Sequence, residues 1–192
     1  MELAPCYGAL WGLLLGIKDN ILEIERWLMG EHYLGAELRN RKTNFRWSLL
    51  VVYGSAQHDF SRNFLDELNS FLSNYALPCV IGGDFNLIRC VEDKRNGQED
   101  KNLMEAFNCF IENNQPRELQ RVGSRFTWTN KQSNPIKSNI DRVLMMTEWE
   151  KSFPISTLSS LPRLGSDHCP LLLDFGDTLK KKPRNFTLKD TG

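Results

Sequence analysis

The sequence predicts an α+β protein in which strands and helices form layers. Short apolar runs of strand-like composition dominate the chain. Three segments have helical spacing, and they do not alternate regularly with the strands, which favours α+β layers. The length of 192 residues favours one domain, over residues 1–177, followed by a basic, disordered tail over residues 178–192.

The first half of this domain combines strands with one long helix. The segment Asn40–Asn44 predicts a hairpin turn between two strands. The segment Ser61–Tyr75 predicts a helix capped by Ser61, because its apolar residues recur on one face. The strands expected in this half are Ala9–Ile17, Tyr33–Leu38, Phe45–Tyr53 and Pro78–Gly82.

The second half contains shorter elements. A helix is predicted over Leu103–Asn113, with Leu103 and Phe107 facing inward, and a short third helix over Thr147–Phe153. The strands expected here are Arg125–Thr129, Asn139–Met145, Ile155–Leu161 and Pro170–Phe175.

Composition limits the classes of function. The formal net charge is zero, so any site for a polyanion must be local. Five Cys, without a Cys-x-x-Cys pair, indicate reduced thiols inside a cell, in the nucleus or cytoplasm. The apolar stretch Tyr7–Ile17 is too short to span a bilayer, which needs ~20 residues, and it lacks the charge pattern of a signal peptide.

Two polar motifs lie where predicted strands meet turns. Gly82-Gly83-Asp84-Phe85-Asn86 ends one strand, and Gly165-Ser166-Asp167-His168 precedes another. Carboxylate and amide oxygens suit Mg²⁺ and an imidazole suits a phosphoryl oxygen, so their convergence would point to phosphodiester hydrolysis. Taken alone, each motif is better explained as a turn or a helix cap.

In this order the motifs resemble the endonuclease/exonuclease/phosphatase superfamily, which includes pancreatic deoxyribonuclease. Within it, the chain is most similar to the endonuclease domain of plant-type non-LTR retrotransposons. The resemblance covers roughly Ala9–Phe175 and implies a four-layer α/β/β/α sandwich of two mainly antiparallel sheets. The segments that carry it are Leu38–Arg41, Val52–Gly54, Gly82–Ile88, Arg125–Asn130, Ile140–Leu144 and Gly165–His168.

The resemblance implies five catalytic residues. Asp84 would orient or deprotonate the attacking water, and Asn86 would hydrogen-bond the phosphoryl group. Asp141 would pair with His168, fix its tautomer and favour its protonated form. His168 would donate to a non-bridging phosphate oxygen, where charge builds in the transition state, and Tyr53 would contact the phosphate.

The resemblance also implies a metal and a partner. Asp167 would contribute to a Mg²⁺ or Mn²⁺ site, and Thr127 and Trp128 would shape the substrate groove. The partner would be DNA, with no membrane and no small-molecule cofactor. Tyr53 and Trp128 have a simpler reading as core aromatics, since aromatic side chains usually serve packing.

Two residues of the family site have no counterpart in the sequence. They are an Asn that ends an N-terminal strand and a Glu, a principal Mg²⁺ ligand, that ends the next one. Glu2 lies too close to the predicted strand Ala9–Ile17 to replace that Glu, and Glu23 and Glu25 lie beyond the strand. We therefore expect a sandwich that lacks its first strands, weak metal binding and a weakened or inactive enzyme.

Three functions stay open at this point. The first is weak, metal-dependent DNA cleavage by a domain of retroelement origin. The second is a non-catalytic relic or a weak nucleic-acid-binding module. The third is a phosphatase or lipid phosphodiesterase of the same superfamily, although the sequence contains no added lipid-binding segment. The sequence does not determine the oligomeric state.

Overall fold

The computed structural model describes residues 2–3, 13, 15–17 and 20–175. Most of the predicted strand Ala9–Ile17 and the basic tail fall outside these residues. The described residues form the strands β1 Glu2–Leu3, β2 Gly16–Ile17, β3 Leu22–Met29, β4 Tyr33–Asn40, β5 Arg46–Tyr53, β6 Cys79–Asp84, β7 Lys94–Arg95, β8 Arg117–Glu118, β9 Arg121–Val122, β10 Trp128–Thr129, β11 Lys137–Ser138, β12 Asp141–Met145, β13 Thr157–Ser160 and β14 Leu171–Asp174. The α-helices are α1 Ser61–Ser73, α2 Lys101–Asn114 and α3 Thr147–Ser152, with 3-10 turns at His58–Phe60 and Val91–Asp93.

A six-stranded sheet is the centre of the molecule. Its strand order is β3-β4-β5-β6-β12-β8, and its pairs are antiparallel except for β5 and β6. Helices α1 and α2 cover one face, where Phe64, Leu68 and Phe107 pack against Leu50 and Ile81. The central strands β5 and β6 have apolar side chains on both faces, as expected for strands that are buried between two layers.

A second, three-stranded sheet of order β14-β13-β9 belongs to the layer on the opposite face. Leu158 of β13 is buried in a cluster with Val80, Val143 and Trp149. The order of layers is therefore helices, large sheet, small sheet, and the predicted α+β sandwich is confirmed. A third small sheet, of order β10-β11-β7, lies beside the ends of β6 and β12 and contributes to the site described below.

The structure differs from the predicted elements in three details. Ser61 does not cap α1: the cap position is Phe60, and the buried Ser61 hydroxyl lies 3.5 Å from the carbonyl of Gln57. Strand β3 was not predicted, because the register shift between Ile24 and Arg26 breaks the alternation of apolar and polar residues. The predicted strand Arg125–Thr129 shortens to Trp128–Thr129.

No α-helix among the described residues is both long and apolar enough to cross a bilayer.

Candidate active site

Two adjacent strands of the large sheet bring Asp84 and Asp141 together. Asp84 is the last residue of β6 and Asp141 the first of the antiparallel β12, and the two are direct partners in the register. Tyr53 ends the neighbouring β5 and is the partner of Asp84 on its other side. Three of the predicted site residues thus lie in one row across the sheet.

Gly83 permits the close approach of β5 and β6 next to Asp84. Its φ is 145°, and a Cβ atom there would lie 2.2 Å from the carbonyl oxygen of Val52. Only glycine fits this position without displacing backbone. The second glycine of the motif is therefore a requirement of the sheet, and it fixes where Asp84 is held.

His168 completes a compact group with the two carboxylates. Its Nδ1 lies 2.9 Å from Asp141 Oδ2 and 3.1 Å from Asp141 Oδ1. Its Nε2 lies 3.9 Å from Asp84 Oδ2. A bond from Nδ1 to a carboxylate leaves Nε2 facing the second carboxylate, which is the arrangement of an imidazole that donates a proton into a site.

Backbone hydrogen bonds hold the His168 loop against the segment 127–129. Cys169 N donates to Thr127 O at 2.7 Å, and Thr129 N donates to Asp167 O at 3.1 Å. Trp128 and His168 form an isolated antiparallel bridge between these bonds. This short pairing carries His168 to the start of β12, although segments 127–129 and 167–169 are far apart in sequence.

Thr127 lies behind the site. It has no exposed surface, and its Oγ1 accepts the backbone N–H groups of Ile140 at 3.1 Å and Asp141 at 3.0 Å. The hydroxyl thus satisfies two donors at the start of β12 and positions Asp141. A side chain in this place has no surface with which to contact a substrate, in contrast to the groove role expected for it.

Trp128 is half-buried and is bonded to Asp167. Its indole Nε1 donates to Asp167 Oδ2 at 3.0 Å. Together with Asn86, it also borders a cavity of about 340 Å³, which Leu87 and Ile140 line with apolar surface. Trp128 therefore does not serve as a core aromatic, because it lies between a carboxylate and an open cavity.

Asn86 and Tyr53 flank the group. Asn86 adopts a left-handed backbone conformation with φ of 52°, which lets its N–H donate to Asp84 Oδ1 at 2.9 Å. Its side-chain Nδ2 donates to the carbonyl of Gly54 at 2.8 Å. Tyr53 is 40% exposed. Asn86 is both a turn residue and a neighbour of Asp84, since the turn is what holds its amide beside that carboxylate.

The site shifts the pKa values of its members in different directions. Burial and the adjacent Asp141 carboxylate raise the pKa of Asp84 to about 6. The hydrogen bond that His168 donates to Asp141, opposed by burial, raises the pKa of His168 above its ordinary value. The bond from Trp128 lowers the pKa of the exposed Asp167. Paired groups with displaced pKa values are typical of sites that move protons.

The donor set suits a hard divalent cation. Ligand atoms of Asp84, Asp141 and His168 all lie within 4.8 Å of one another. Burial and the adjacent Asp141 carboxylate make ionisation of Asp84 costly, as its raised pKa indicates, and a cation would relieve that cost. Asp167 is not a member of this group, and its carboxylate is held at the side by Trp128.

Sequence reasoning missed the residues that hold β12 on the side opposite to Asp141. Arg142 is 3% exposed and pairs with Glu118 and, at 2.5 Å, with Asp93. Asp93 also accepts from Asn139 Nδ2 at 2.8 Å. The only signal in the sequence is that Arg142 directly follows Asp141 on a strand, where alternation turns it to the opposite side.

A protein-family model described as endonuclease-reverse transcriptase matches residues 47–172, two thirds of the chain and every site residue above. The chain belongs to this family. It is thereby a member of the endonuclease/exonuclease/phosphatase superfamily, as the motifs indicated. No curated protein sequence matches the chain.

Solved structures share the fold at low sequence identity. The endonuclease domain of TRAS1, a telomere-specific non-LTR retrotransposon, has a TM-score of 0.66 and 13% identity over 84% of this chain and 71% of its own. A mannosyl-6-phosphatase of Bacteroides thetaiotaomicron has a TM-score of 0.52 and 13% identity over 82% and 68% of the two chains. D. rerio TDP2, solved with a single-stranded DNA product, has a TM-score of 0.52 and 14% identity over 82% and 69%.

Proposed function

We propose that this chain is a divalent-metal-dependent phosphodiester hydrolase of retroelement origin that acts on DNA. The observation that carries the proposal is the contact geometry of His168. Its Nδ1 is bonded to Asp141 at 2.9 Å while its Nε2 faces Asp84 at 3.9 Å. A proton donor and a proton acceptor are thus held side by side, as attack of water on a phosphoryl group requires.

The two proton-transfer roles follow from the electrostatics. His168 is protonated over a wider pH range than a free imidazole, because Asp141 raises its pKa. It donates from Nε2 to a non-bridging phosphate oxygen and so stabilises the charge that develops there. Asp84, with a pKa of about 6, is ionised at neutral pH and accepts the proton of the attacking water.

The other residues orient these groups. Asn86 is fixed beside Asp84 by its bond to Gly54 and contacts the phosphoryl group from there. Tyr53, exposed at the end of β5, contacts a flanking phosphate. Trp128 holds the Asp167 carboxylate, and the cavity between Trp128 and Asn86 accepts the sugar or base next to the scissile phosphate.

A Mg²⁺ or Mn²⁺ ion would be held by Asp84, with Asp141 near by. Asp167 would join it only after leaving its bond to Trp128. When bound, the metal supplies Lewis-acid stabilisation of the phosphoryl oxygens. We propose weak binding and slow turnover, because both oxygens of Asp141 are already engaged by His168. Mg²⁺ generally takes one or two carboxylates with water completing its shell, so a site with few free carboxylate oxygens binds it poorly.

DNA is proposed as the substrate from the cavity and from the relatives. The cavity of about 340 Å³ beside the catalytic group has both apolar walls, such as Leu87 and Ile140, and polar ones, such as Lys94 and Gln98, which suits a nucleoside. Two of the proteins with the same fold are a retrotransposon endonuclease domain and an enzyme solved with a DNA product. The formal net charge of zero argues for modest affinity, set by local contacts.

Hydrolysis of two chromogenic esters tests this function. We expect metal-dependent cleavage of bis-p-nitrophenyl phosphate, a diester, and much slower cleavage of the monoester p-nitrophenyl phosphate. His168→Ala should remove the diesterase activity. His32→Ala is the matched control, because His32 also pairs with a carboxylate, Glu67 at 2.8 Å, but takes no part in the site. Preference for the monoester would instead favour a phosphatase.

A further inference from the structure

A second polar cavity lies on the other side of β12 from the catalytic carboxylates. Its volume is about 210 Å³, and it lies between the start of β12 and the segment 118–125. The side chains that line it include Glu118, Arg121, Arg125, Asn139 and Arg142. None of the proposed catalytic residues is among its lining residues, so its chemistry is separate from that of the site above.

The charge around this cavity is positive. Arg142 pairs with Asp93 and Glu118, and Arg89 pairs with the same Glu118. Arg121 and Arg125 add two more guanidinium groups, and among the described residues neither forms an ion pair within 4.0 Å. Four arginines therefore surround the two carboxylates Asp93 and Glu118, and Arg121 and Arg125 are the two without a direct ion pair in the described part of the chain.

Backbone carbonyls are the acceptors of those two arginines. Arg121 donates to Ser124 O at 3.1 Å and to Arg125 O at 2.9 Å, and it reaches Asp141 O at 3.4 Å. Arg125 donates to Glu92 O at 3.1 Å. Such bonds hold the guanidinium groups in place without a direct ion pair, and the more distant carboxylates of Asp141 and Glu118 stabilise the charge of Arg121. Burial, and the nearby charge of Arg142, lower the pKa of Arg121, which an anion in the cavity would reverse.

Two buried polar atoms of the cavity residues lack partners. Arg142 is 3% exposed, and its Nε donor has no hydrogen-bond acceptor. The Oδ1 acceptor of Asn139 has no donor, since its amide nitrogen is turned to Asp93. An unsatisfied buried group costs about 1–3 kcal/mol, so a ligand that satisfies both is favoured. That ligand must both accept and donate a hydrogen bond, and it must carry negative charge.

We propose that this cavity binds a protonated phosphate group. A hydrogenphosphate ion has oxygens for Arg142 Nε, Arg121 and Arg125, and its P–OH can donate to Asn139 Oδ1. Sulfate has the same shape and charge but lacks the donor, and a phosphodiester lacks it too. The ligand is therefore inorganic phosphate or a terminal phosphate monoester, such as the end of a nucleotide chain, and not the continuous DNA backbone.

Glu118 sets the limit on affinity and selects the protonated form. It lines the same cavity, but it is bonded to Arg142 and, at 2.9 Å, to Arg89. A fully ionised trianion would be repelled by it more strongly than a species that keeps one or two protons. The mixture of one engaged carboxylate and two arginines that are bonded to carbonyls suits a singly or doubly charged phosphate.

Calorimetric titration with inorganic phosphate, in chelator and at constant ionic strength, tests the proposal. We expect one phosphate per chain, with sulfate binding about tenfold or more weakly because the Asn139 contact is lost. Arg121→Gln with Arg125→Gln should weaken phosphate binding by about tenfold or more. The matched control Arg117→Gln, which removes an exposed arginine paired with Glu150, should leave it unchanged.

Catalytic-site variants separate this cavity from the active site. His168→Ala and Asp84→Asn should bind phosphate as the unaltered chain does. Loss of binding in His168→Ala, equal affinity for sulfate, or no binding at millimolar phosphate would each overturn the proposal, the last meaning that water fills the cavity. Because Arg121 and Arg125 are partly or fully exposed, their substitution is compatible with folding, and circular dichroism verifies it. Titration with a dinucleotide, with and without a 5′-phosphate, then distinguishes the two ligands. Binding that requires the 5′-phosphate indicates the end of a nucleotide chain, and no binding of either dinucleotide indicates a free phosphate ion.

Discussion

His168 Nδ1 lies 2.9 Å from Asp141 Oδ2, and this bond determines what the imidazole can do. It directs the other ring nitrogen toward Asp84 and raises the pKa of the ring. Removal of the carboxylate charge should reverse both effects. We predict that Asp141→Asn lowers the pKa of His168 and narrows the pH range of activity on its alkaline side, because protonated His168 is lost at lower pH.

The pKa of His168 can be followed by NMR of the imidazole carbons. A group with a raised pKa in the fold contributes stability that is present below its unfolded pKa of about 6.5 and lost as pH rises through the folded pKa. The fall in stability across that window should therefore be smaller in Asp141→Asn. An unchanged His168 titration in the variant would mean that Asp141 does not control the ring.

Asp84→Asn should stabilise the protein at pH 8 in the presence of chelator. Burial beside Asp141 raises the pKa of Asp84 to about 6, so the ionised form costs free energy in the fold. That cost is absent near pH 4 and is fully present above the folded pKa. The amide of the variant is uncharged and keeps an oxygen for the N–H of Asn86. The free energy of unfolding should therefore rise by about 1–3 kcal/mol at pH 8.

Urea unfolding at pH 8 and near pH 4 measures this difference. Asp66→Asn, on the exposed face of α1, is the control for removing an acidic side chain. A variant that is less stable than the unaltered chain at pH 8 would contradict the account of Asp84. The same variant should lack activity, so that stability and function change in opposite directions.

Thr127→Val should destabilise the protein and reduce activity. The valine fills the same space but leaves the N–H groups of Ile140 and Asp141 without their acceptor in a buried place. Each unsatisfied donor costs about 1–3 kcal/mol. Thr127→Ser keeps the hydroxyl and should lose much less stability and activity. Equal unfolding midpoints for the two variants would show that the hydroxyl has no role in holding β12.

Gly83→Ala should be far more damaging than Gly82→Ala. At Gly83 a Cβ would lie 2.2 Å from Val52 O, and the backbone φ of 145° is unfavourable for other residues. At Gly82 the nearest atom, Val143 Cγ2, would lie at an ordinary 3.4 Å. Strain of this kind costs about 1–3 kcal/mol before the clash is counted. Thermal unfolding of the two variants tests this difference, and similar melting temperatures would contradict it.

Sequence reasoning predicted the parts of the fold that local patterns control. The α1 and α2 helices and strands β4, β5, β6 and β12 follow from apolar periodicity, and the order of motifs was sufficient to recognise the superfamily. Strand β3 was missed because its bulge at Ile24 and Arg26 disrupts the alternation on which strand prediction depends. The two-residue strands such as β7 and β11 have too few residues to form a pattern.

The candidate site was less predictable in its supporting contacts than in its central residues. Asp84, Asp141 and His168 stand in short motifs, so the sequence pointed to each of them. The burial of Thr127 and the bond from Trp128 to Asp167 depend on the pairing of segments 127–129 and 167–169, which are far apart in the chain. Arg142 with Asp93 is a contact of the same kind, because nothing local distinguishes a buried arginine from an exposed one.

Nicking of supercoiled plasmid by the purified chain is the most direct test of whether this site hydrolyses DNA. We expect slow nicking that requires Mg²⁺ or Mn²⁺, that stops with chelator, and that is lost in both Asp84→Ala and His168→Ala. If a folded, soluble preparation leaves the plasmid intact at every metal concentration, the chain is not a DNA hydrolase. If nicking persists in His168→Ala, the activity does not come from this site.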